Sequence, residues 1–257
     1  MQDNSSCFFF YFPFAFMISL RSVSIAVGDQ QIISGLDYDF ILGKQYCLLG
    51  KNGSGKSSLA YGLMGHPSYT VTGDVTLDGE DLLAMDVDER AKAGIFLAFQ
   101  AIPEIPGIKV FEFLRSIYHA KTDDNIGLIP FKKKILPLCD QIGLDHDLLW
   151  RDLNVGFSGG ERRKLEVLQI KLLEPRYIVL DEVDSGLDVD AFHAIAGLLA
   201  SCVNDQTTLI IITHLFTILD YVKPDHVIVM DKGKIIKEGG PDLALRVKEG
   251  GFRDLIE

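Results

Sequence analysis

The sequence has little positive charge and few cysteines, and both shortages exclude classes of protein. Lys and Arg number 25 against 36 Asp and Glu, which gives a formal net charge of -11. Because proteins that bind nucleic acids or anionic lipids usually present a basic face, we expect neither kind of partner. The four cysteines include no CxxC pair, so neither a zinc ribbon nor a cysteine cradle for a metal cluster is indicated.

Long apolar runs are lacking as well. The segment Cys7–Met17, CFFFYFPFAFM, is apolar, but a membrane-spanning helix needs about 20 such residues. No basic residue precedes it, as a secretory signal would require. We therefore expect residues 1–16 to be a non-structural extension, residues 17–257 to fold as one domain, and the protein to be cytoplasmic with no direct membrane insertion. An organelle in place of the bacterial cytosol stays open.

Strand and helix patterns alternate along most of the chain. The apolar runs Gln45–Leu49, Tyr177–Leu180 and Thr207–Ile212 are typical of buried strands. Strands joined through helices favour a largely parallel sheet in an α/β fold. Between about residues 100 and 175 helical patterns replace the strands, which predicts a helical subdomain. The helices predicted there are Val110–His119, Pro130–Ile142 and Gly159–Leu173. Outside it, the patterns predict two short strands, Gln31–Ile33 and Leu36–Ile41, and a helix over Leu215–Val222.

A glycine-rich segment after the first buried strand matches the phosphate-binding pattern G-x-x-x-x-G-K-[ST]. Its glycines permit tight turns that point main-chain N–H groups at an anion, and the next helix adds its N-terminus. We expect Lys56 to contact the β- and γ-phosphates of a nucleotide and Ser57 to ligate Mg²⁺. The predicted nucleotide-binding residues here are Gly50, Lys51, Asn52, Gly53, Ser54, Gly55, Lys56, Ser57 and Ser58.

Two carboxylates end a later apolar strand, in the sequence YIVLDE. In a doubly wound sheet, the carboxyl end of such a strand lies beside the phosphate-binding loop. Asp181 is therefore predicted to hold Mg²⁺, and Glu182 to polarise the attacking water as the general base.

The segment Phe157–Glu161, FSGGE, resembles the signature loop of ABC ATPases. Ser158, Gly159 and Gly160 lie at the start of a predicted helix, where main-chain donors suit a phosphate. In that family the loop does not reach the phosphate site of its own subunit. The resemblance, which extends from about Ile18 to Glu257, thus implies an ATP-dependent, head-to-tail homodimer with two ATP molecules between the subunits.

Three further positions carry the same resemblance. Gln100 stands where the family has a glutamine that contacts metal and water, and Ser185–Asp188, SGLD, resembles the family's D-loop. His214 resembles the switch histidine that contacts the γ-phosphate. The resemblance implies a P-loop NTPase fold with a RecA-like core, an antiparallel β subdomain and a helical subdomain. It also implies ATP and Mg²⁺ as cofactors, Glu182, His214 and Gln100 as catalytic residues, and Ser57, Gln100 and Asp181 as metal ligands.

Longer segments resemble the SufC family, the ATPases of the SUF iron–sulfur cluster assembly machinery. They are Phe99–Ile108, Gly156–Pro175, Leu180–Ala191 and Leu219–Gly240. This resemblance implies a SufB–SufD scaffold as the partner in place of a membrane permease. It also implies that Pro103–Gly107, PEIPG, contacts the partner, and two prolines stiffen this segment so that docking costs less entropy.

Two positions depart from the wider ABC pattern. Val27 stands where an aromatic ring usually stacks on adenine, which puts base discrimination in question, and Tyr38 is not placed to substitute for it. Gly186 replaces a more common alanine in the D-loop, a change that SufC-like sequences share.

Other residues and functions have alternative interpretations. Lys132–Lys134 is interpreted as a solvated helix face, with phosphate or RNA binding as the alternative. Phe111, Phe113 and Leu114 are expected in the core, and the histidines other than His214 show no ligand spacing. Two rival functions stay open, namely the nucleotide-binding subunit of an ABC membrane transporter and a non-transport ABC protein of ribosomes or DNA.

Overall fold

The structure, a computed structural model, describes residues 16–183, 187–213 and 216–252. The first part of the chain contains β1 (Met17–Val27), β2 (Gln30–Ile41), β3 (Gln45–Gly50), α1 (Lys56–Leu63), β4 (Tyr69–Leu77), β5 (Glu80–Asp81), α2 (Val87–Lys92) and β6 (Ile95–Ala98). The middle contains β7 (Ile105–Lys109), α3 (Val110–Thr122), α4 (Leu128–Ile142), a 3-10 helix (His146–Trp150), β8 (Asp152–Leu153) and α5 (Gly159–Leu173). The last part contains β9 (Tyr177–Asp181), α6 (Val189–Ala200), β10 (Thr208–Ile212), a 3-10 helix (Phe216–Asp220), β11 (His226–Asp231), β12 (Lys234–Gly239) and α7 (Pro241–Gly250).

A six-stranded sheet in the order β12-β11-β3-β10-β9-β6 forms the centre of the molecule. The strands from β11 to β6 are parallel, and the edge strand β12 is antiparallel. Successive side chains of a strand point to opposite faces, so the central strands serve two cores. Ile178 and Leu180 of β9 pack with the helices on one face, whereas Tyr177 and Val179 pack on the other.

The second face is covered by α1 and by an antiparallel sheet in the order β2-β1-β4-β5. The sequence predicted two short strands around Ser34 and Gly35. The structure has the single strand β2 there, in which Gly35 adopts a left-handed φ of 61°. The register with β1 shifts at three places along this pair. An irregularity of this kind lets the strand continue through a sequence that interrupts its apolar alternation.

The stretch between residues 100 and 175 carries α3, α4 and α5, close to the predicted ranges. Phe111 and Leu114 are buried in this region, as predicted, and pack in the same core as Phe131 of α4. The short antiparallel pair β7–β8 was not predicted. The subdomain boundaries at about 100 and 175 stay a prediction.

The bounds of α5 agree with the predicted ones because the sequence marks both of its ends. The Ser158 Oγ accepts a hydrogen bond from the Glu161 N–H at 3.2 Å, and the Glu161 carboxylate accepts one from the Ser158 N–H at 2.7 Å. This reciprocal capping begins the helix. Glu174, with a left-handed φ of 45°, ends it immediately before Pro175.

Elements near the C-terminus differ from prediction. A 3-10 helix, Phe216–Asp220, lies where a helix over residues 215–222 was predicted, and the exposed strand β12 and helix α7 were missed.

Across the three described ranges, every helix is too short or too polar to cross a bilayer. Residues 1–15 of the predicted extension lie outside these ranges. Its last residue, Phe16, accepts a main-chain hydrogen bond from Leu42 at 2.9 Å.

The helical region should depend on the ring of Phe131 for its stability. This ring is fully buried and contacts Phe111 and Tyr118, with ring centroids 5.3 Å and 5.8 Å away. Phe131→Ala should lower the free energy of unfolding by about 3–5 kcal/mol, because it leaves a cavity. Chemical denaturation would measure this loss. Ile129→Ala, at a residue of the same helix that is 72% exposed, should change stability by no more than about 0.5 kcal/mol.

Candidate nucleotide-binding site

The site forms where the carboxyl ends of neighbouring parallel strands meet. Strand β3 ends at Gly50, β9 at Asp181 and β10 at Ile212. Strand β6 ends at Ala98, two residues before Gln100. Ligands bind at this edge in open α/β sheets. The topology therefore brings together the loop after β3, the acids after β9 and Gln100 after β6.

Packing against the C-terminal strands fixes the glycine-rich loop. A Cβ on Gly50 would lie 2.4 Å from the Met230 carbonyl oxygen, which no side chain could tolerate. Gly53 and Gly55 have left-handed φ values of 79° and 104°, a region that glycine adopts without steric cost. The Gly233 N–H donates to the Ser54 carbonyl at 3.0 Å. The loop conformation thus requires glycine and depends on contacts with residues 230–233.

The ammonium group of Lys56 is withdrawn from water. The residue is 5% exposed, and its Nζ donates to the carbonyls of Gly50 at 2.9 Å and Lys51 at 3.2 Å. Burial lowers the pKa of Lys56, and the negative charges of Glu182 and Asp181 oppose this shift. The Nζ also donates to the Ser54 Oγ at 3.5 Å. A cation held by neutral carbonyl and hydroxyl groups can exchange them for phosphate oxygens at little cost, since charge-assisted hydrogen bonds are stronger.

Asp181 lies fully buried at the end of β9, next to the first turn of α1. Its Oδ1 accepts a hydrogen bond from the Ser57 Oγ at 2.9 Å. The Oδ2 is buried and has no hydrogen-bond partner among the described residues. Burial raises the pKa of Asp181, while the Ser57 bond and the Lys56 charge act against it. An orphaned carboxylate oxygen beside a hydroxyl is a set of hard oxygen ligands, which suits a divalent cation such as Mg²⁺.

Glu182 and Gln100 face each other across the site. The Gln100 Nε2 donates to the Glu182 Oε2 at 2.6 Å. Glu182 has a left-handed φ of 49°, and its N–H donates to the Ile212 carbonyl at 2.9 Å. A non-glycine residue in this conformation costs about 1 kcal/mol or more and is characteristic of functional sites. The turn after β9 therefore places the carboxylate against the amide of the neighbouring loop.

Lys56, Ser57, Gln100 and Glu182 line one cavity of about 270 Å³, whereas Asp181 is not among its lining residues. Its lining residues are Asn52, Gly53, Gly55, Lys56, Ser57, Ser58, Gln100 and Glu182.

Comparison with known proteins identifies the family to which the chain belongs. The ABC transporter family model matches residues 33–185. The SufC protein of Escherichia coli K12, named a probable ATP-dependent transporter, is 39% identical over 94% of this chain and 99% of its own length. The iron–sulfur cluster assembly protein SufC of Plasmodium falciparum is 36% identical over 90% of this chain and 68% of its own length. The chain belongs to the ABC transporter family, and within it to the SufC group.

Solved structures agree with this on the level of fold. The ATP-binding cassette MJ0796, in a dimeric post-hydrolysis state with ADP and phosphate, superimposes with a TM-score of 0.75 and 20% sequence identity. The alignment covers 88% of this chain and 99% of the solved one. The chain therefore has the ABC ATPase fold. The match to the family model and the identity to SufC of E. coli, reported above, show that it is an ATP-binding ATPase of that family.

Not every predicted site residue lines this cavity. Ser158, Gly159 and Gly160 begin helix α5 and are not among the residues that line the cavity around Lys56. That a subunit's signature loop serves another subunit stays a prediction. His214 and, in the D-loop segment, Ser185 and Gly186 lie outside the described residues.

Val27 and Tyr38, the two positions considered for contact with adenine, lie in different surroundings. Val27 ends β1 and is 38% exposed. Tyr38 packs edge-on against Phe40 and donates to Glu238 at 2.7 Å. That Tyr38 does not take the place of an aromatic residue at Val27 stays a prediction.

Residues for which the sequence predicted no role in the site make contacts outside it. Lys132 and Lys134 lie over the rings of Trp150 and Tyr118, at 5.4 Å and 5.1 Å from the ring centroids. Within the described ranges, His, Cys, Asp and Glu form no group that could hold a metal ion by themselves. A buried pair, Arg163 and Glu166, was missed, because charged residues in a helical segment give no sequence signal of burial.

Lys56→Ala should weaken ATP binding by about thirtyfold, because it removes charge-assisted hydrogen bonds that are worth about 2 kcal/mol. Isothermal titration with a non-hydrolysable ATP analogue would measure the loss. Lys44→Ala removes the same charge at the opposite end of β3, where Lys44 pairs with Asp225. It should leave the affinity unchanged, and an equal loss in both variants would show that net charge alone is responsible.

Proposed function

We propose that this chain is the ATPase of an iron–sulfur cluster assembly machinery and acts on a SufB–SufD-like scaffold in the cytoplasm. The observation that carries this proposal is the similarity over 90% of the chain to a protein named for iron–sulfur cluster assembly. The acidic net charge of -11 argues against a nucleic-acid partner. Closure of two such domains around the bound ATP molecules would drive the scaffold between conformations, which requires that ATP bind the closed state more tightly than the open one.

In this proposal Glu182 accepts a proton from the attacking water. Gln100 orients the Glu182 carboxylate and that water. The 2.6 Å contact between Gln100 and Glu182 supports these roles. Lys56 leaves its carbonyl partners to hold the β- and γ-phosphates. His214 contacts the γ-phosphate, by the resemblance alone.

The metal ligands in this proposal are Ser57, Asp181 and Gln100. Two observations support Asp181 as a metal ligand, namely its unsatisfied Oδ2 and the contact of its Oδ1 with Ser57. Mg²⁺ held there would neutralise charge that develops on the phosphate oxygens. Before it binds, the Ser57 hydroxyl keeps the buried carboxylate in place.

The second phosphate contact comes from another copy of the chain. Ser158, Gly159 and Gly160 form the N-terminus of α5, and a helix N-terminus attracts an anion. Because these residues are not among those that line the cavity around Lys56, we propose that an ATP-dependent homodimer assembles the complete site.

The scaffold is proposed to dock in an apolar groove of about 440 Å³ beside the Gln100 loop. Phe99, Ile105 and Phe113 line it, together with the predicted partner segment at Pro103. Phe99 and Ile105 are 38% and 36% exposed. Large apolar residues left exposed around a concave surface are typical of protein–protein contacts. Phe113, expected in the core, is half-buried against this groove.

The second candidate is the nucleotide-binding subunit of an ABC membrane transporter. Relatives named probable ATP-dependent transporters favour it, among them the Synechocystis protein, 39% identical over 94% of the chain. In that case the same groove would hold a segment of a membrane protein. The two candidates therefore differ in the partner and not in the chemistry.

Glu182→Gln should lower kcat for ATP hydrolysis by about a hundredfold or more, because an amide cannot accept the proton. ATP affinity should stay within about threefold, since the amide keeps the shape of the side chain. Steady-state phosphate release and titration with ATP would give the two values. Glu249→Gln, on an exposed position of α7, serves as the control. Turnover of Glu182→Gln at the wild-type rate would rule out Glu182 as the base.

Ile105→Asp should abolish co-purification of the native partner, because it places a charge in the apolar groove. Affinity capture from native cells followed by mass spectrometry is the measurement, and we expect a SufB–SufD-like pair with the wild-type chain. Ile236→Asp, with a similar exposure of 38% on the edge strand β12, should retain it. If the wild-type chain instead captures a polytopic membrane protein, and Ile105→Asp abolishes that capture, the second candidate function would replace the first.

A further inference from the structure

A buried ion pair joins helix α5 to the loop that carries Gln100. The Arg163 Nη1 donates to the Glu166 Oε2 at 2.6 Å and to the Phe99 carbonyl at 2.8 Å, and its Nη2 donates to the Gln100 carbonyl at 3.2 Å. The side chains of Arg163 and Glu166 are only 4% and 9% exposed. One guanidinium group therefore holds two consecutive main-chain carbonyls and one carboxylate.

The two charges of this pair depend on each other. Burial raises the pKa of Glu166, while the charge and the hydrogen bond of Arg163 oppose that shift. Buried charges are costly without a partner, and here each is the other's partner. Glu166 thus fixes the guanidinium, whose planar fork keeps its remaining donors directed at the loop. A lysine has no such fork and cannot hold two carbonyls in the same geometry.

The pair lies between the docking groove and the catalytic cavity. Glu166 and Phe99 line the groove, and Gln100, the next residue, lines the cavity and contacts Glu182. A single peptide unit, Phe99–Gln100, is therefore in contact with the groove on one side and the catalytic carboxylate on the other. Arg163 is bonded to the carbonyls at both ends of this segment.

We propose that Arg163, held by Glu166, is a positioning residue that sets the main chain at Gln100 so that its amide meets Glu182. This inference rests on the proposed role of Glu182 as the base. It gives α5 a second function in addition to presenting the signature loop.

The test is steady-state ATP hydrolysis by Arg163→Lys in the full chain, purified with its native partners. The lysine keeps the charge that Glu166 needs and loses the bond to the Gln100 carbonyl. We expect kcat to fall about tenfold with KM for ATP within about twofold, since misplaced catalytic groups slow the reaction without removing phosphate contacts. Glu166→Gln, which retains an acceptor for Arg163, should give a smaller decrease of kcat in the same sense.

Arg90→Lys is the matched control. Arg90 is also a buried arginine whose guanidinium donates to main-chain carbonyls, those of Gly62 and Leu63 at the far end of α1 and that of Met85 just before α2. The substitution should lower thermal stability as Arg163→Lys does, and leave kcat unchanged. Equal losses of kcat in the two variants would mean that general loosening is responsible, which overturns the inference.

A double-mutant cycle with Gln100→Ala separates positioning from other roles. If Arg163 acts through Gln100, the double variant should be no slower than Gln100→Ala alone, because coupled residues are not additive. Additive losses of kcat in the double variant would overturn the inference, and so would a wild-type kcat in both Arg163→Lys and Glu166→Gln. The proposed function would stand in either case, because it depends on ATP hydrolysis by the wild-type chain and on the Glu182→Gln result. A wild-type chain without ATPase activity would overturn the proposed function and this inference together.

Discussion

The burial of the Asp181 carboxylate against the Ser57 hydroxyl is the contact on which the site depends. It joins the end of β9 to the first turn of α1 at 2.9 Å, so the residues of the proposed phosphate and metal site are held in one arrangement. The arrangement leaves one carboxylate oxygen buried without a partner among the described residues. An unsatisfied buried oxygen costs free energy, and the divalent cation proposed for this site would recover that cost.

Much of this site could be predicted because its chemistry depends on local sequence. The loop from Gly50 to Ser57 needs glycines at turns that few other residues adopt, and the acids follow a strand whose apolar residues mark its end. Helix α5 was predicted with the bounds that the structure has, since Ser158 and Glu161 begin it and Pro175 follows its end. In each case a local physical requirement selects the residue type, so the sequence alone carries the information.

Other features depend on tertiary contacts and left no local signal. Strand β12 and helix α7 were missed, because an exposed edge strand shows no strong apolar alternation. The burial of Arg163 and Glu166 results from the loop that covers them, at a distance of about sixty residues along the chain. Strand β2 was split in two at Gly35, where the pairing with β1 carries the strand through an unfavourable residue. The sequence-based predictions fail where contacts with an element distant in the sequence determine the local conformation or burial.

The dependence of the phosphate-binding loop on residues 230–233 has a consequence for synthesis on the ribosome. Strand β3 lies between β10 and β11, and the loop after it contacts Met230 and Gly233. The emerging N-terminal segment thus holds every residue of the loop and lacks the neighbours that shape it. Because domains fold as units during translation, we expect the loop to take its nucleotide-binding conformation only once residues 230–233 have been synthesised.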